Sequence, residues 1–97
     1  MATAVGYVNA LRSRAGASTV NSINTDFILD ERARELSWES TRRTDLIRYG
    51  KYTGGTYVWA WKGGVAAGQA VNSNMNLFPI PALVLNGNPN LQQNPGY

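Results

Sequence analysis

Residues 26–39, DFILDERARELSWE, decide the fold class, because they form the strongest helical pattern in the sequence. Leu29, Ala33 and Leu36 fall on one apolar stripe, and Asp26, Asp30 and Glu31 crowd the early turns, where a helix dipole favours negative charge. Thr25 or Asp26 is placed to cap the start. Glu39-Ser40-Thr41 offers a break, since Ser and Thr compete for backbone hydrogen bonds. A second helix, Arg42 to Tyr49, then ends at Gly50, and the short spacing predicts a helical hairpin, antiparallel or steeply angled. Upstream, Val5, Val8 and Leu11 with Tyr7 and Ala15 predict a helix over residues 3–15. Arg12 and Arg14 lie in its last turn, and Gly16 can end it in a left-handed conformation. A polar linker, Ala17 to Asn24, joins the two.

The helical period stops after Gly50. Tyr57-Val58-Trp59-Ala60-Trp61, bounded by Gly54-Gly55 and Gly63-Gly64, has strand composition and leaves room for a short β-hairpin. Residues 65–76 are small, polar and loop-like. The prolines of Leu77-Phe78-Pro79-Ile80-Pro81 impose an extended path, residues 82–86 suit one helical turn, and Asn88-Pro89-Asn90 and Asn94-Pro95-Gly96 are turns. The expected organisation is one 97-residue domain, mainly α, with residues 3–50 helical and 51–97 a long irregular tail.

Charge separates these halves. All six acidic residues lie between Asp26 and Asp45, and from Gly50 to Tyr97 the only charged side chains are Lys51 and Lys62. Such a segment, rich in Trp, Tyr, Leu, Asn and Pro, solvates poorly and is expected to lie against something else. The basic residues alternate with acids instead of forming a stripe, which argues against nucleic acid. Without Cys or His there is no disulfide, thiol nucleophile, imidazole base or thiolate metal site. No apolar run approaches the roughly 20 residues that span a bilayer. The first residues, MATAVGYVNALRSRAG, lack the ordered regions of a signal peptide, so an export signal and a lipid-bearing cysteine are expected upstream, if present.

Two constellations invite a functional reading. Glu35 and Glu39, with Arg32 and Arg42 beside them, lie on one helical face. Glycosidase carboxylates must face each other across a cleft, at least about 5 Å apart, so two glutamates on one helix face are expected to form a structural ion-pair band, with Asp30–Arg34 alongside. Flanking Ile28 and Leu46 suggest that the band is partly buried. Tyr57, Trp59 and Trp61 alternate along the expected strand, which would put their rings on one face at about 7 Å intervals. Such a row suits stacking on the C–H face of a pyranose, but the same rings can fill a core, and spacing alone favours the core. The paired glycines match no phosphate-binding loop, and the Asn-rich stretches lack the nearby carboxylates of a calcium site. No metal or cofactor is expected.

Several strings taken together are more specific. FILDERARELSWESTRRTDLIRYGKYT (27–53), WAWKG (59–63) and NLFPIPALVLNGNPNLQQNPGY (76–97) resemble, in order, the C-terminal region of the SusD/RagB family of Bacteroidetes outer-membrane nutrient-binding lipoproteins. The sequence departs from the commonest pattern at Ser40-Thr41, where a Gly-containing pair is usual, and at Ala60, where Pro is frequent. The resemblance implies part of a tetratricopeptide-like α–α superhelix. It also implies a non-enzymatic protein that captures oligosaccharides or other nutrients at the cell surface and delivers them to a TonB-dependent SusC-like transporter. Membrane attachment would be through an upstream lipid anchor. On this reading the chain is a C-terminal piece, mainly scaffold, with Tyr57, Trp59 and Trp61 as its candidate sugar contacts. The alternative is a docking module that contacts the transporter or a partner subunit.

Overall fold

A computed structural model describes residues 2–97, with side chains from residue 3 onward. Its elements are α1 (Ala2–Arg14), α2 (Thr25–Glu35), α3 (Arg42–Arg48), short 3-10 turns at Lys62–Gly64 and Ser73–Asn76, and α4 (Ala82–Gly87). The chain divides into two compact units, Met1–Asp45 and Leu46–Tyr97, with the boundary inside α3. The mainly helical expectation holds. No strand forms among the described residues; an isolated bridge between Gly54 and Val71 stands in place of the short hairpin.

In the first unit, Gly16 ends α1 at φ +71°. The linker then doubles back along α1. Ala17 N–H donates to the Arg12 carbonyl at 2.8 Å, and Arg12 Nε donates to the Ser18 carbonyl at 2.6 Å. Farther back, the Asn9 amide grips Val20 through both N–H and C=O, at 2.8 and 2.9 Å. With the chain returned to the level of Asn9, α2 runs beside α1: Arg12 meets Glu31 and Arg14 meets Glu35. Asn24, not Thr25 or Asp26, caps α2. Its extended backbone (φ −133°) lets Oδ1 accept from Phe27 N–H at 2.7 Å.

The second helix stops at Glu35, four residues short of the expected Glu39. The cause is long-range pairing. Arg32 and Asp45 would lie about 20 Å apart on one straight helix, yet Arg32 Nε reaches Asp45 Oδ2 at 2.8 Å. Arg42 Nη1 likewise donates to the Leu29 carbonyl at 3.0 Å. Residues 36–40 make the required reversal, with Trp38 (φ +67°) and Ser40 (φ +61°) both in the left-handed region. Each such residue costs roughly 1 kcal/mol when it is not glycine, and Ser40 stands at the pair where the family resemblance has glycine.

Glu31 joins α1 to α2. Its carboxylate accepts from Arg34 at 2.7 Å and Arg12 at 2.9 Å, and both guanidiniums lie within 6 Å of the Phe27 ring. The Arg34 hydrogen bond, followed by that of Arg12, holds the carboxyl below its ordinary pKa of 4.5, against the opposing effect of burial. A lowered folded-state pKa stabilises the fold above the unfolded value, and that contribution is lost as pH falls through the folded value.

Two outcomes are expected. Ser40→Gly raises the unfolding free energy by about 0.5–1 kcal/mol, because glycine relieves the left-handed strain but also loosens the unfolded chain; denaturant titration measures it. Glu31→Gln lowers the melting temperature at pH 7, and the difference from wild type shrinks as the pH drops below 4.5; a difference that persists unchanged in acid contradicts the ion-pair assignment.

Candidate functional site

In the second unit Trp59, in contact with Tyr52 and Tyr57, lies against a buried lysine. Lys62 is 2% exposed although it carries a charge. Its Nζ donates to the Gly54 carbonyl at 2.9 Å and the Tyr57 carbonyl at 2.5 Å, and lies 4.7 Å from the centre of the Trp59 ring. Burying an ammonium is costly unless its donors are satisfied, and two carbonyls and a π-face meet that need with neutral groups.

The rings pack on one another. Trp59 stacks on Tyr52 at 6.3 Å and meets Tyr57 at 6.0 Å with a 52° tilt, while Lys51 lies 5.2 Å from the Tyr57 ring. Backbone contacts close the loop: Gly54 N–H donates to Val71 at 2.8 Å, Lys62 N–H to Trp59 at 3.1 Å, and Gln69 N–H to Lys62 at 3.1 Å. Gly68 adopts φ +77°, and there is also no room for a side chain: a methyl there would stand 2.2 Å from the Trp59 carbonyl oxygen.

Of the three predicted rings, Tyr57 and Trp59 are brought together, whereas Trp61 takes part in neither ring contact, so no flat row forms. The expected strand over 57–61 does not form, and the alternation it would impose is lost. The backbone of residues 54–57 is bent around the Lys62 ammonium, and only the isolated Gly54–Val71 bridge stands where a strand pairing was expected. Tyr57 and Trp59 are half-buried, whereas Trp61, in the left-handed region at φ +68°, is 68% exposed. Spacing in the sequence held no sign of the buried Lys62; the one available signal was an isolated cation among neutral residues.

The second set of predicted residues is distributed over separate pairs. Arg32 binds Asp45, Glu35 binds Arg14, Arg42 lies 3.9 Å from Asp30, and Arg34 turns to Glu31 instead of Asp30. Glu39 is exposed and enters none of these pairs. Arginines supplied by α1 and the acid supplied by α3 compete successfully with neighbours on the same helix. Among the described residues no group of three potential metal ligands occurs, and no helix is long and apolar enough to cross a membrane.

At the C-terminal end, side-chain amides hold the Pro-rich segment. Gln93 grips Ile80 through both backbone groups at 2.8 and 2.9 Å, Asn94 donates to the Phe78 carbonyl at 2.8 Å, and the Tyr97 hydroxyl donates to the Leu77 carbonyl at 2.7 Å. The strings that carry these contacts are those of the family resemblance, and the SusD family model matches residues 1–97. The chain belongs to the SusD family. It is 43% identical over 95 residues to the starch-binding protein SusD of Bacteroides thetaiotaomicron; the match takes in 97% of this chain and 17% of that protein. The chain therefore spans about one-sixth of the length of this family relative.

Gly68→Ala is expected to break the aromatic loop of this chain. The forced shift of the Trp59 backbone should remove the near-ultraviolet circular dichroism of the Tyr52–Trp59 stack and cost about 2 kcal/mol or more.

Proposed function

We propose that this chain forms part of a non-enzymatic glycan-capture protein, in which it is mainly scaffold and offers Trp61 as a sugar contact. The observation that carries this reading is the 43% identity with a starch-binding protein across nearly the whole chain. In the same reading the complete protein sits on the outer-membrane surface, held by a lipid anchor, and passes oligosaccharides to a TonB-dependent SusC-like transporter.

Two structural features support the assignment of roles. Trp61 is 68% exposed, while Tyr57 and Trp59 are engaged with other rings. Its surroundings carry little charge, and the Lys62 ammonium faces inward, so the surface suits a neutral pyranose better than an acidic sugar. The scaffold role draws on the apolar side chains that this unit leaves open, among them Phe78 at 69% and Leu83 at 84% exposure. Side chains of this size left open suit burial against further polypeptide if they form one patch. In a family whose starch-binding member is far longer than this chain, the remainder of the fold is the covering polypeptide we favour. The same exposed residues favour the second reading, contact with the transporter.

Calorimetric titration of the chain with a linear starch-derived oligosaccharide tests the sugar contact. Trp61→Ala is expected to weaken binding by about fivefold, the equivalent of roughly 1 kcal/mol for one stacked ring. Binding indifferent to that substitution rejects the ring as the contact. No binding by the wild-type chain rejects a sugar contact within it and leaves the scaffold role.

A further inference from the structure

We propose that Lys62 is the positioning residue of the aromatic loop: its buried ammonium fastens the Gly54 and Tyr57 carbonyls beneath Trp59 and so holds Trp61 outward. The orientation of Trp61 towards a sugar rests on the function proposed above; the fastening itself does not.

Lys62 is tied at every level. Its side chain spans two carbonyls and a ring, its N–H bonds the Trp59 carbonyl, and its carbonyl accepts from Gln69. Gln69 Nε2 also donates to the Gly63 carbonyl at 3.0 Å, so the residues after Lys62 are fixed as well. Trp61 sits between these ties. Its left-handed backbone is an unfavourable state for a bulky side chain and persists only where the surroundings over-determine it. Lys62 supplies that constraint from one side, and the Trp61 contacts with Ala66 and Gly64 supply it from the other. No carboxylate is among the partners of the ammonium, so what Lys62 recognises is the curvature of its own loop. A released loop can return Trp61 to negative φ, which redirects the ring.

The first experiment needs no variant. Limited acetylation of the wild-type chain, read by peptide mass spectrometry, should modify Lys62 at least about tenfold more slowly than Lys51, because reaction requires the loop to open. Equal rates overturn the proposal. The second uses a Trp38→Phe background, which leaves Trp59 and Trp61 as the reporting tryptophans. There Lys62→Met, which keeps the stem but removes the donors, should abolish the near-ultraviolet signature of the Trp59 cluster and alter acrylamide quenching. Lys62→Arg, which retains a cation able to donate to carbonyls and lie over a ring, should restore both. A methionine variant spectroscopically identical to its parent, or an arginine variant as altered as methionine, refutes positioning by the cation. If these signatures behave as expected while the oligosaccharide titration is silent, the loop assignment stands and only the sugar contact fails. If wild type binds, Lys62→Met should lose affinity to the same extent as Trp61→Ala; undiminished binding would overturn the link between Lys62 and Trp61.

Discussion

Side chains that hydrogen-bond the backbone of irregular segments hold this chain in shape. Among the described residues, the buried hydrophobics are Val8, Leu29 and Leu46. So small a core cannot order loops by burial alone. Polar side chains do that work instead: Asn9 on Val20, Lys62 on Gly54 and Tyr57, Gln93 on Ile80, and Asn94 on Phe78. Each such bond contributes only about 1 kcal/mol net, but a carbonyl or N–H buried without a partner costs more than its bond gains. The consequence is a fold with definite paths through its loops. Among the described residues, no buried side-chain nitrogen or oxygen lacks a partner.

The two amide grips show how this works. An Asn or Gln side chain carries the same donor and acceptor as a peptide unit, so it can pair with an extended residue as a neighbouring strand would. Asn9 does this for the linker, and Gln93 does it for the Pro-rich segment, where prolines prevent a continuous ladder. Extended chain is thereby stabilised without a sheet. The Asn- and Gln-rich composition of the tail, which looks like mere turn punctuation, supplies part of its internal bonding.

Charge follows a similar logic in the first unit. Glu31 collects two arginines, one from α1 and one from its own helix, while Asp45 is buried against Arg32. These pairs set which helix faces meet; removing one partner would strand the other in a poorly solvated place. Left-handed Trp38 and Ser40 are the accompanying strain. Trp38 lies wholly exposed in the reversal.

The sequence by itself determined the helices of the first half, since local periodicity and the end signals at Gly16 and Gly50 act within a few residues. It also carried the family, because three ordered strings, not any single motif, bore the resemblance. It missed the early end of α2 because that boundary depends on Asp45 and Arg42, residues beyond the helix, reaching back to Arg32 and Leu29. It also misread Tyr57–Trp61 as a strand. Alternating aromatics report β-type composition, whereas the path of the chain was decided by a lysine ammonium seeking carbonyls from residues 54 and 57. Tertiary structure alone settled which ring turns outward, because exposure follows from where the loop closes and not from the order of side chains along it.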